Sequence, residues 1–583
     1  MKFSILVALF LSSFSVNETK VSDSLRVTLS HGGGLIGRYL SSQSGRGIRA
    51  FMGVPYAEPP IGSLRFSHPV PKKPWAGFLR ANQDGDQCLQ YDYLYKGNES
   101  IGSEDCLYLN VYVPQTPESN NPLPVMVFFH GGGFQSGTGG KVFYGPDYLL
   151  DEDVILVSGN YRLGVFGFLS TNTLDSPGNY GLKDQSLILK WVQENIGFFG
   201  GDKNSVTIFG QSVGGACVTY HTVSPLSRGL FQRAIAQSGT HLGIWSLQDA
   251  RVAVNNARQL AEVMDCPSEE SNSREMVECL RRKSAEEINS HFFDFFLWDI
   301  YPTISWGPVI EPPNEGAFLN EEPRDISRGH EIPLMLGVVS DEGLMISTSI
   351  LHSSELIEDV KTEWVRILPP VLWYNYYSKE LQEQLTNMIT EFYVNGLNKD
   401  MNDPIFFQRF TEAMSDGYFT SAVDQFLQYR QQLATDSLNS NTYLYIFNHR
   451  GDSSFSEQLQ QNPDADYGVC HSDDVIALFP VMKEHFFHGV PTEEDDSIRK
   501  AMVSMWVNFA RYGNPTPTEN VDLPRWDTVG SFPYNYLRIG RFNQPGNVSR
   551  ISMEKGFYDD RVLFWRNIIS MLNENTVDID KIN

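Results

Sequence analysis

The sequence predicts an α/β fold, a large and mostly parallel central β-sheet flanked by helices. Three observations point there. Short apolar runs of strand length recur along the chain, with helical patterns between them. The runs are apolar at successive positions, the habit of strands buried on both faces of a parallel sheet. No internal repeat or low-complexity linker divides the 583 residues. Length alone suggests about four domains of roughly 150 residues. The candidate site below gathers residues from 130 to 471, so a boundary inside that span would divide it.

The strand runs are Val125 to Phe129, Val154 to Ser158, Ser205 to Phe209, Leu334 to Val339 and Tyr443 to Phe447. Their β-branched and aromatic content suits strands. Lys183 to Asn195 places Leu187, Ile188, Trp191 and Val192 on one helical stripe. Ala250 to Met264 and Ser497 to Arg511 have similar spacing, and an apolar helix is expected over Val475 to Phe479. From about Ser347 to Asn441 the pattern is helical and richer in charge, as in a cap over a sheet. Val562 to Leu572 reads as an amphipathic helix, interrupted by Arg566 and Asn567.

The balance of 45 basic against 70 acidic residues gives a net charge of −25. Such a chain repels phosphate backbones, so no nucleic-acid partner is expected. A hydrophobic fraction of 41% excludes a largely disordered chain. Lys2, the apolar stretch Ile5 to Leu11, and the small residues Ser13 and Ser15 predict a signal peptide over 1–15. Residues 16–583 are then one domain. The apolar stretch is shorter than the ~20 residues that span a bilayer, so a soluble, secreted protein without a membrane span is expected. Asn98 and Asn547 stand in glycosylation acceptor sequences. Of six cysteines, Cys88 and Cys106 could close one short loop and Cys266 and Cys279 another, with Cys217 and Cys470 left over. Neither C-x-x-C nor H-E-x-x-H occurs, so no metal and no cofactor is expected.

The motif that carries chemistry is Gly210-Gln211-Ser212-Val213-Gly214, a G-x-S-x-G between a predicted strand and a helix-compatible stretch. A strand-to-helix elbow would hold the Ser212 hydroxyl above the sheet edge. An acyl-transfer nucleophile also needs donors for the developing oxyanion. His130-Gly131-Gly132-Gly133 follows the strand Val125 to Phe129, and consecutive glycines let backbone N–H groups converge. Gly132 and Gly133, with the N–H of Val213, are the candidate donors, and His130 is loop scaffolding. The hydroxyl needs a base and the base an orienting acid. His471 is the candidate base, with His449 as runner-up. Glu342 at the end of the strand Leu334 to Val339 is the candidate acid, with Asp341 as its rival. The order Ser212, Glu342, His471 is that of an α/β-hydrolase.

The chain resembles the type-B carboxylesterases of the cholinesterase-like α/β-hydrolase family, from about Val27 to Trp565. Phe51-Met-Gly-Val-Pro-Tyr-Ala57, Glu104-Asp-Cys-Leu-Tyr-Leu-Asn-Val-Tyr112, Asn160-Tyr-Arg-Leu-Gly-Val-Phe-Gly167 and Asn179-Tyr-Gly-Leu-Lys-Asp-Gln185 carry the resemblance. It implies an α/β-hydrolase sheet with cap insertions and a triad of Ser212, Glu342 and His471. It also implies an oxyanion hole of Gly132, Gly133 and Val213, and disulfides Cys88–Cys106 and Cys266–Cys279. Ser238 matches a supporting hydroxyl near the triad, and Trp245 and Trp306 match acyl-pocket positions. Phe134 is a further pocket candidate. Cholinesterases are disfavoured: no Trp lies between Cys88 and Cys106, and Gln211, not Glu, precedes the nucleophile. The set is most similar to secreted insect esterases, including juvenile hormone esterases, apart from Val213. The function implied is ester hydrolysis through an acyl-enzyme on small, largely uncharged apolar esters. The competing reading is a non-catalytic binding or adhesion protein on this fold. Survival of Ser212, Glu342 and His471 argues against it.

Overall fold

The run Val125 to Phe129 lies inside a longer strand, Leu123–Phe129, whose last six residues are buried. Alternate residues of a strand face opposite sides of its sheet. Val125, Val127 and Phe129 enter one hydrophobic core, while Met126 and Phe128 enter a second. A strand between two cores has no need of polar alternation, which is why the run is apolar throughout.

The computed structural model describes residues 23–91, 99–115, 121–326, 331–433, 441–460, 465–481, 491–518, 523–540, 550–575 and 577. The expected signal peptide and the acceptors Asn98 and Asn547 lie outside the described residues. Eleven strands form one sheet. In chain order they are β1 (Arg38–Ser41), β2 (Gly47–Pro55), β3 (Tyr108–Pro114), β4 (Leu123–Phe129), β5 (Ile155–Gly159) and β6 (Gly201–Gln211). There follow β7 (Arg233–Gln237), β8 (Leu334–Val339), β9 (Thr442–Phe447), β10 (Asn535–Ile539) and β11 (Ile551–Lys555). Their order across the sheet is β11-β10-β9-β8-β7-β6-β4-β5-β3-β2-β1. Every pairing from β5 to β10 is parallel, and both margins are antiparallel. Parallel strands deliver their C-terminal ends to one edge. The loops after β4, β6, β7 and β8 meet there, together with the segment after β9.

The helix Tyr180–Asn195 buries Ile188, Leu189, Trp191 and Val192. Leu187, expected on that stripe, is only half-buried. The charged stretch after residue 347 is helical as expected. Its helices include Lys379–Val394, Pro404–Ser415 and Ser421–Leu433. Between the last two, Asp416–Thr420 widens into a π-turn, a local expansion frequent at functional sites. The helix expected over Val475 to Phe479 is instead one turn, Asp473–Ile476. Pro480 follows closely and removes a backbone donor.

Cys88–Cys106 and Cys266–Cys279 form disulfides, while Cys217 and Cys470 are free and buried. Among the described residues no helix is long and apolar enough to cross a membrane.

One buried ion pair, Arg162 with Asp184, carries a stability prediction. Asp184 accepts two hydrogen bonds from the Arg162 guanidinium at 2.8 Å each and a third from the Arg162 N–H at 3.0 Å. Both side chains are essentially inaccessible to solvent. Removing one partner strands a buried charge. Asp184→Ala is therefore expected to lower unfolding stability by about 3–5 kcal/mol, measured by urea titration.

Candidate active site

β6 ends at Gln211, and the helix Val213–Val223 begins two residues later. Ser212 makes the turn between them at φ 61, ψ −127. Positive φ is strained for any residue with a Cβ, at about 1–3 kcal/mol, and such strain concentrates at functional sites. Here the surroundings fix it. Ser212 N–H donates to Gln237 O at 2.7 Å, and Ser212 O accepts from Ala216 N at 3.0 Å. The flanking glycines are steric necessities. A Cβ on Gly210 would lie 2.6 Å from Phe129 O, and one on Gly214 only 2.0 Å from it.

Glu342 follows β8 and is fully buried. Its Oε1 accepts from Val339 N at 2.9 Å, and its Oε2 meets His471 Nδ1 at 2.5 Å. An ionised carboxylate only accepts, so Nδ1 carries the imidazole proton and Nε2 presents a lone pair. The Phe419 ring, delivered by the π-turn, stacks on His471 with centroids 4.3 Å apart. The group hydrogen-bonded to Nε2 is Gln211 Nε2, at 3.0 Å. Among the described residues no hydrogen bond joins Ser212 Oγ to the ring.

The rivals are engaged elsewhere. His449 pairs with Asp495 at 2.6 Å. Asp341 accepts from Ser340 Oγ at 2.7 Å and Val469 N at 3.1 Å, and burial raises its carboxyl above the usual carboxylate range.

Two acids without an assigned role in the sequence brace the His471 turn. Asp473 accepts from Cys470 N and Phe455 N, and burial pushes its carboxyl up to about 7. Asp474 accepts from Gln237 Nε2 at 2.9 Å and Tyr445 Oη at 2.8 Å, and burial pushes it up to about 6. The spacing Gly468-x-x-His471-x-x-Asp474 was the available signal for the second.

The loop after β4 holds Gly132 at φ 108 and Gly133 at φ 65. Gly132 O accepts from Gln135 N and Ser136 N, which folds the loop back on itself. Among the described residues neither Gly132 N–H nor Gly133 N–H has an intrachain acceptor. Val213 is the first helical residue, whose N–H a helix leaves unpaired. His130 lies beneath the loop, stacked on Tyr161 at 4.3 Å, and burial lowers its pKa to about 4. A Cβ on Gly132 would fall 2.1 Å from Ser136 O, so Gly132→Ala must displace the loop. It is expected to lower kcat on a short aryl ester by about 10²–10³, read from initial rates.

A cavity of about 600 Å³ opens over these groups, lined by Gly132, Gly133, Ser212, Val213 and His471. Its walls include Trp245, Ile304, Met345, Tyr418 and Phe419, and Asp299 and His352 also line it. Trp245 is fixed by its Nε1–H, which donates to Tyr418 O at 2.8 Å. Phe134 does not line the cavity. It is fully buried and packs on Phe168, with centroids 4.9 Å apart. Trp306 lines a separate small recess with Gln135 and Phe295. Ser238 is buried just after β7 at φ 50, and its hydroxyl has no partner among the described residues.

The profile of the carboxylesterase family matches residues 23–565. The chain belongs to the carboxylesterase family. As a carboxylesterase it is an ester hydrolase on an α/β-hydrolase sheet. It is 36% identical to the juvenile hormone esterase of Tribolium castaneum over 550 residues, covering 91% of this chain and 92% of that one. It is 36% identical to esterase FE4 of Myzus persicae, covering 88% of each chain. It is 33% identical to venom carboxylesterase-6 of Apis mellifera, covering 94% of each.

Proposed function

We propose that this carboxylesterase is a secreted serine hydrolase that cleaves small, largely uncharged apolar esters through an acyl-enzyme. The observation that carries the reading is the buried Glu342–His471 contact at 2.5 Å, beside a serine on a positive-φ elbow. Ser212 Oγ attacks the ester carbonyl carbon, and its proton passes to His471 Nε2. Glu342 keeps the Nδ1 proton in place and stabilises the imidazolium. The oxyanion accepts from the N–H groups of Gly132, Gly133 and Val213. Collapse breaks the bond to the alcohol oxygen, which takes the proton from His471. A water molecule then attacks the acyl group by the same route and releases the acid.

The substrate class rests on the cavity walls. Trp245, Tyr418, Phe419, Ile304 and Met345 offer apolar surface, and Asp299 disfavours anionic esters. The test is a fluorophosphonate probe followed by peptide mapping. Label on Ser212 is the expected result. Folded protein that takes no label selects the binding-protein reading. A narrower reading is juvenile hormone esterase activity, favoured by the Tribolium castaneum relative of that name and by Gln211 before the nucleophile. A panel of aryl acetates, butyrates and a juvenile-hormone-like methyl ester separates the two. The narrower reading requires the highest kcat/KM on the methyl ester.

A further inference from the structure

Gln211 is 4% exposed and is wedged between the glycine loop and the candidate base. Its Oε1 lies 2.9 Å from where a Cβ on Gly131 would stand, so that end of the amide faces the loop. Its Nε2 faces the imidazole, 3.0 Å from His471 Nε2. The polarity of this contact follows from the far side of the ring. Glu342 at Nδ1 can only accept, so the neutral ring has its lone pair at Nε2, and the atom opposite must be a donor. The orientation of the Gln211 amide is therefore the one the ring demands. Ser212 Oγ needs that same lone pair, and one lone pair holds one strong donor at a time.

We propose that Gln211 is a positioning residue for the base: its amide occupies His471 Nε2 in the resting enzyme and must yield to Ser212 Oγ before the proton moves. The inference rests on the reading of His471 as the base. An occupied lone pair stabilises the neutral ring and fixes the imidazole plane, which Phe419 holds from its face. Protonating Nε2 would turn the same amide into a donor facing a donor. Gln211 therefore opposes premature imidazolium formation, and substrate entry shifts the ring toward Ser212. The charged or titratable groups around the ring are Glu342 from the loop after β8, and Asp474 and the Cys470 thiol from its own segment. Phe419 and Gln211 bring no charge. The π-turn and β6 therefore contribute only neutral contacts.

The test is the acid limb of the kcat/KM pH profile on a short aryl ester, in the full chain, for Gln211→Glu and Gln211→Met. Glutamate would flank the imidazole with a second carboxylate, and the limb is expected to move up by about one unit or more. On the limb that is a tenfold lower kcat/KM at a given pH. Methionine removes the donor without adding charge, and the limb is expected to rise by about half a unit. A purely structural role for Gln211 would lower the plateau and leave the limb in place. Limbs within about 0.2 unit of the parent in every variant that folds and takes probe at Ser212 would overturn the inference. Should Gln211→Glu not fold, Gln211→Met alone decides. Failure of the underlying reading has a different signature, because a Ser212→Ala protein that keeps its activity removes the base assignment itself.

Discussion

A Ser212→Ala protein is expected to hydrolyse a short aryl ester at least 10⁴-fold more slowly than the parent and to take no fluorophosphonate label. At about 1.36 kcal/mol per decade, that loss corresponds to about 5.5 kcal/mol of transition-state stabilisation. The size of the effect follows from position. In the proposed mechanism the Ser212 hydroxyl connects the substrate carbonyl to the His471 base, from a positive-φ turn between a strand and a helix. Some rate above the uncatalysed reaction should survive, because the N–H groups of Gly132, Gly133 and Val213 remain. The fold should survive as well. Alanine keeps the Cβ and both backbone hydrogen bonds, to Gln237 O and from Ala216 N. Melting temperatures within a few degrees of each other would show that chemistry, not structure, was removed. A folded variant with more than a tenth of parental activity would place the nucleophile elsewhere.

The interior of the sheet was legible because its physics is local. β4, β5, β8, β9 and the second half of β6 are buried on two faces, so each shows as a largely apolar run, whereas the interior strand β7 has only Ala234, Ile235 and Ala236 between Arg233 and Gln237 and gave no such run. The margins are different. β1 has two exposed residues at its start, Arg38 and Tyr39, and β11 is only half-buried from Ser552 to Glu554. In β2, Arg49 and Gly53 interrupt the run. Such strands carry no continuous signal, and none was predicted as a strand. Within the candidate site the same division holds. The glycines around Ser212 and in the loop after β4 are backbone requirements, visible in a short window. The meeting of Glu342 with His471 spans 129 residues and that of Gln211 with His471 spans 260, so only the folded chain displays them. Phe134 and Trp306 make the converse point. Aromatic character predicts burial, but it does not say whether the ring faces a cavity or a core.

The second large effect is expected at Glu342. Glu342→Gln should lower kcat by about 10³–10⁴ while leaving the protein folded, because the replacement inverts the hydrogen-bond logic of the ring. Val339 N–H can only donate, and it donates to Oε1. A glutamine here must therefore keep its oxygen toward Val339 and turn its NH₂ toward His471 Nδ1. A donor at Nδ1 forces that nitrogen to accept, and the proton of the neutral ring moves to Nε2. The nitrogen that should take the Ser212 proton is then already protonated. The stabilisation of the imidazolium by a buried carboxylate is lost in the same step. Asp341→Asn is the internal comparison, since Asp341 hydrogen-bonds Ser340 and Val469 rather than the ring. It is expected to change kcat by less than about tenfold, the effect of a packing change without a tautomer change. Initial rates at saturating aryl ester for both variants decide the matter. If the losses are reversed in size, Asp341 orients the base and Glu342 does not.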